Sequence, residues 1–218
     1  FLTGRIIKHL AETGKNDPEK YKKIWETFGM FIKEGAVSDF ENQKELVPLL
    51  RFESSKTEKG SLTTIAEYVS RMKSGQTSIF YLNGRSREEI ESGPYIETFR
   101  KKDIEVLYLF EPIDDFVMTT LREYEGKKMV SADSADIELP EEKGDGKGET
   151  ETPSFVSENL KEFVVWMKEQ LGERVSDVRE SKRLMDRPAI VVNPDSMFTT
   201  TMHRVMKAAG RDIGFGGQ

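Results

Sequence analysis

The sequence has no cysteine, only two histidines and two tryptophans, and no apolar run near the roughly 20 residues that a membrane helix needs. Without cysteine there is no disulfide, no thiolate metal site and no thiol nucleophile, and the chain suits a reducing compartment. Basic charge is also in short supply: 33 Lys and Arg stand against 39 Asp and Glu, a formal net charge of -6. Binding to a nucleic-acid backbone needs a net basic face, so nucleic acid is excluded as a partner, and the lack of apolar runs excludes a membrane one. No secretory signal is expected ahead of the first helix.

What is present is 218 residues, a third of them charged with both signs mixed. That reads as a soluble surface, with length for one large domain or one domain plus part of another. The first residue is not Met, and helical spacing is already under way at Leu2, Ile6, Ile7 and Leu10. The chain is therefore expected to start inside a larger protein.

Residues 1–56 read as a helical coil. Thr13 and Gly14 are expected to stop the first helix. Asp17 before Pro18 is an N-cap and first-turn pair, followed by a stripe of Tyr21, Ile24, Trp25, Phe28 and Ile32 up to Gly35. A third helix over 42–50 turns Leu46, Val47 and Leu50 inward, with Pro48 weakening it. In 57–136 helical segments alternate with short apolar runs. Helix is predicted over 61–72 with Ser61 as cap, over 86–102 with a break at Gly93 and Pro94, and over 113–121. The last has Ile113, Phe116, Val117, Thr120 and Leu121 on one face. Strands are predicted over 79–82, 104–110 and 128–131. Strand and helix alternating with short connections predict a small α/β/α sandwich on a short parallel sheet.

Residues 137–154 lose their apolar positions to glycine, proline and glutamate and read as a flexible acidic linker. Residues 155–218 then read as a partial second α/β domain. It has an amphipathic helix carrying Val156, Leu160, Phe163, Val164, Met167 and Leu171 up to Gly172, strands over 175–184 and 189–192, and a helix over 198–209. The fold class is thus α/β throughout.

No catalytic constellation emerges. Gly144, Gly146 and Gly148 lie in an acidic tract that would repel phosphate, and Gly214, Gly216 and Gly217 have no strand before them or helix after them. His9 and His203 each stand alone, so no metal site is expected. Asp114 with Asp115, and Glu88 with Glu89, are neighbours that point to different sides of a helix, and both pairs read as solvated faces. No serine sits in a nucleophile elbow. More informative is the stripe of Phe198, Met202, Val205, Met206 and Ala209, because methionine adapts to varied apolar partners. Spacing alone favours packing of that stripe within its own domain.

Four long motifs carry a resemblance. LLRFESS at 49–55, EYVSRMKSGQTSIFYLNG at 67–84, SGPYIETFRKKDIEVLYLFEPIDDFVMTTLREYEGKK at 92–128 and LGERVSDVRESKRLMDRPAIVV at 171–192 together resemble the ninety-kilodalton heat-shock chaperones, most closely the bacterial HtpG-type and mitochondrial ones. The linker and the ending 211–218 have no clear counterpart. The resemblance implies an ATP-dependent homodimeric chaperone, of which this chain would hold the later middle domain and the start of the C-terminal domain. The nucleotide pocket with its ATP and magnesium, the arginine loop that reaches the γ-phosphate and the dimerisation helices would lie in neighbouring sequence, so the chain itself would hold no cofactor and hydrolyse nothing. The compartment would be the bacterial cytosol or the mitochondrion.

The resemblance also reverses the reading of the methionine stripe. Carried over by position, contacts to unfolded or partly folded client protein would come from Asp115, Phe116 and Thr119 in the middle domain and from Phe198, Met202, Val205 and Met206 after the linker. The alternative is a purely architectural segment coupling the ATPase and dimerisation regions, with both stripes buried.

Overall fold

The computed structural model describes residues 2–140, 157–181, 188–194 and 202. The helical coil consists of α1 (Leu2–Asn16), α2 (Pro18–Ser38) and α3 (Gln43–Leu46), which runs into a 3₁₀ turn at Val47–Leu49. The Asp17 carboxylate accepts the Lys20 N–H at 3.0 Å and Pro18 opens the helix, as the sequence suggested. Thr13 and Gly14 do not end α1. Thr13 donates its hydroxyl proton to the His9 carbonyl within the helix, which runs on to the turn before Asp17. Pro48 breaks the third helix into a short α segment and a 3₁₀ turn, because it has no N–H to continue the α ladder. The buried stripe of α2 is Tyr21, Trp25, Gly29, Ile32 and Ala36, with Lys33 beside it. Phe28, one residue off that stripe, is exposed.

Five strands follow: β1 (Glu53–Ser54), β2 (Ser78–Asn83), β3 (Val106–Leu109), β4 (Glu123–Tyr124) and β5 (Lys127–Ser131), ordered β1-β3-β2-β5-β4. The expected parallel sheet is the central β3-β2-β5 part, in which Tyr81 pairs with Leu107 on one side and Ser131 on the other. The two-residue edge strands are antiparallel, making the sheet mixed. Their shortness leaves little free edge for another chain to pair with. Glu125 and Gly126 both take positive φ between β4 and β5, the two-residue turn that matches strand twist.

Helices cover both faces. They are α4 (Ile65–Ser70), α5 (Arg87–Ser92), α6 (Ile96–Lys101) and α7 (Pro112–Leu121). Alternation along β2 sorts two cores: Ile79 and Tyr81 pack with Val117 and Met118 of α7 and with the coil, while Phe80 and Leu82 pack with Ile90, Ile96 and Phe99. The cap of α4 is Thr64 and not Ser61, because only Thr64 has Glu67 three residues on to complete a capping box. The break at Gly93 and Pro94 separates α5 from α6 as predicted.

Ile137 and Leu139, placed in the linker by composition, pack against the second core. Beyond it, α8 (Ser157–Leu171) forms where predicted and ends at Gly172 with positive φ. The expected strands do not form in the described parts, 175–181 and 188–192. A strand needs a neighbour, and the only pairing in this region among the described residues is a single bridge between Ser134 and Asn193. The predicted helix over 198–209 lies outside the described residues except for Met202, which is helical.

Candidate functional site

The site is built on α7. The chain leaves β3 at Phe110, and Glu111-Pro112 starts the helix with Pro112 in the first turn. The Asp114 carboxylate reaches back to accept the N–H groups of Glu111 and Phe110 at 3.1 and 3.3 Å. Its other oxygen lies 2.6 Å from Lys33 Nζ on α2, and Glu111 takes the same ammonium at 2.8 Å. Burial pushes the Asp114 carboxyl up from its ordinary range, and the neighbouring lysine opposes that push. Asp115 is only 1% exposed and accepts a hydrogen bond from the Asn83 side-chain amide at the end of β2. Beneath it the Tyr81 hydroxyl is pushed up by burial and by the carboxylates of Asp115 and Asp133.

The expectation that Asp114 and Asp115 are solvated therefore fails. Adjacent residues on a helix point about 100° apart; here one direction meets α2 and the other meets the sheet end, and both are inside. Glu88 and Glu89, read the same way, are exposed as expected.

The three client residues placed on α7 have different surroundings. Asp115 is buried. Thr119 is half-buried and donates its single hydroxyl proton to the Asp115 carbonyl at 2.7 Å. Phe116 is 36% exposed and is the one large apolar side chain of residues 57–136 that is open to solvent. Of the second group, Met202 is brought to α7: its Sδ lies 3.9 Å from Thr119 Oγ1, and it is 4% exposed. Since the Thr119 proton goes to the backbone, the sulfur approach is a packing contact and only a weak polar one. Phe198, Val205 and Met206 lie outside the described residues.

Acids sit at several helix starts: Asp114 accepts the N–H of the Glu111 cap of α7, Glu67 that of the Thr64 cap of α4, and Glu88 and Glu89 follow the Ser86 cap of α5. Among the described residues no group of three or more His, Cys, Asp or Glu is placed to hold a metal ion, and no helix is long and apolar enough to cross a membrane.

The family model described as Hsp90 protein matches residues 2–212. The chain belongs to the Hsp90 family. It is similar to proteins named Chaperone protein HtpG: 47% identical over 99% of this chain to that of Desulfotalea psychrophila, 47% over 97% to that of Desulfitobacterium hafniense, and 40% over 96% to that of Methylococcus capsulatus. It covers 35%, 34% and 33% of those proteins, so it spans about a third of the length of the curated relatives it matches. As a stretch of an Hsp90-family chaperone, its α7 merits attention for surface and for linkage. The sequence reading named Phe116 as a candidate and did not mark Lys33, Asn83 or Asp114 as structural partners. The signal for Lys33 was present, since it stands twelve residues after Tyr21 in the series Tyr21, Trp25, Gly29, Lys33, a cation on a buried face.

Proposed function

We propose that this region, within an ATP-dependent chaperone of the Hsp90 family, holds unfolded or partly folded client protein and couples it to ATP-driven closure of a homodimer. The observation that carries the reading is Phe116, an aromatic ring held open on a helix whose other side is fully packed. A rigid backbone beneath an exposed aromatic ring is the arrangement that an apolar segment of another chain can cover. Thr119 supplies a polar neighbour one turn on, and the contact is apolar with no covalent chemistry. ATP and magnesium belong in this reading to neighbouring sequence, and the N-terminal ATPase and C-terminal dimerisation regions are the intramolecular partners. The bacterial relatives favour the bacterial cytosol as the compartment.

A second reading makes the segment an architectural coupler with no client contact. The burial of Asp115 and Met202 favours it, since neither offers surface to another polypeptide. The two separate in one experiment. The 218-residue chain and its Phe116→Ser variant are compared for suppression of aggregation of a chemically unfolded model protein, with helix content followed by far-UV circular dichroism. Client holding at Phe116 predicts a loss of suppression on the order of tenfold with helix content unchanged. Equal suppression assigns the segment to the architectural role.

A further inference from the structure

Lys33 is the most deeply placed cation between the coil and the sandwich. The residue is 7% exposed. Its Nζ stands 2.6 Å from Asp114 and 2.8 Å from Glu111, and 5.6 and 5.7 Å from the ring centroids of Trp25 and Phe52. Both acids belong to the start of α7: Glu111 is its N-cap, and Asp114 reaches back to hold the N–H groups of Phe110 and Glu111 just ahead of it. One ammonium from the helical coil thus grips both groups that begin the helix carrying Phe116.

Stability alone is a poor account of this arrangement. Moving a lysine and a carboxylate out of water costs about as much as their attraction returns, so well-packed apolar residues of similar volume would hold α2 on α7 as well or better. Apolar contacts, however, are non-directional and tolerate sliding of one helix along another. An ammonium shared between two fixed carboxylates admits one register. The two halves are unequal: the Glu111 side chain is half-exposed and screened, whereas the Asp114 side chain is buried and supplies the anchor.

We propose that Lys33 is a positioning residue: through Asp114 it sets how α7 is seated on the helical coil, and with it the angle at which Phe116 faces a bound polypeptide. The last clause rests on the client reading above; the seating does not.

The test compares the 218-residue chain with Lys33→Met, and with Lys33→Met combined with Glu111→Gln and Asp114→Asn. The combined variant leaves no uncompensated carboxylate and so keeps the fold where the single variant loses it. Hydrogen exchange resolved to α7 and to β2 and β3 reads the seating. Exchange about tenfold faster in α7, with β2 and β3 protected as before, supports the proposal. Unchanged exchange in α7 of a folded variant overturns it, as does an even rise across α7, β2 and β3, or failure of both variants to fold, since Lys33 is then a stability element. Client holding is measured alongside. Reduced holding with faster α7 exchange supports both readings, and faster α7 exchange with full holding supports the seating while removing the client surface.

Discussion

Two helices of this chain, α7 and α8, have similar amphipathic sequences and different fates. In α7, Asp114, Asp115, Val117 and Met118 are all buried, between the sheet on one side and α2 on the other. In α8 no described side chain is buried, and Phe163, Val165 and Trp166 are exposed, with Phe163 and Trp166 stacked on each other at 5.9 Å. Spacing makes a helix in both cases. Burial depends on whether the rest of the fold brings two surfaces to it, and for α7 the sheet and the coil arrive from opposite directions. On α7 the two meet: the helix is packed on both sides and Phe116 is left open on it.

This contrast makes predictions of decreasing size. The largest effect follows from removing the anchor of α7. Asp114→Ala leaves Lys33 buried without its main partner and strips the N–H groups of Glu111 and Phe110 of their acceptor, which should cost about 3–5 kcal/mol in urea unfolding. Next, Met118→Ala should cost about 2–5 kcal/mol, since it opens a cavity in the first core. Trp166→Ala in α8 should change stability by less than about 0.5 kcal/mol in the same measurement. Equal costs at Met118 and Trp166 would erase the distinction between the helices.

A further effect separates the packed part by pH. Burial pushes the hydroxyls of Tyr21 and Tyr108 up from 10.0 to about 12. A group whose folded value is raised holds its proton more tightly in the folded state. Its contribution to stability is complete below pH 10 and is lost as pH rises through about 12. Tyrosinate absorbance should therefore develop together with loss of near-UV circular dichroism over that window. Ionisation at pH 10 with the near-UV signal intact would show these hydroxyls to be accessible. Tyr21→Phe, which loses the 2.6 Å bond to the Leu49 carbonyl, should narrow the pH effect.

Much of the fold was legible because the signals were local. Asp17 before Pro18 marked the start of α2, and Gly93 with Pro94 marked the break between α5 and α6. The run at 79–82 lies within β2, that at 104–110 contains β3, and that at 128–131 lies within β5, the three central strands. The edge strands at Glu53–Ser54 and Glu123–Tyr124 were not legible, since two residues carry no period and take their form from the strand beside them. Strands expected over 175–184 and 189–192 had the composition, but in their described parts no strand forms, and among the described residues the only pairing there is the Ser134–Asn193 bridge. At the candidate site, Phe116 was visible in its motif, while the burial of Asp115 and the grip of Lys33 on Asp114 were not. These contacts join residues 32 and 81 positions apart, from Asn83 to Asp115 and from Lys33 to Asp114, and no local pattern announces such a pair.

The amino-acid order by itself determined the class of fold, the positions of most helices, the absence of thiol chemistry and membership of the Hsp90 family, because these depend on spacing, composition and long ordered motifs. Only the tertiary structure decided which charged groups are inside, which of two amphipathic helices is packed on both sides, and that Met202 lies against Thr119. The physical reason is that burial belongs to a pair of surfaces. A residue's own chemistry sets what it costs to leave water, and the partner that fold topology delivers decides whether it does.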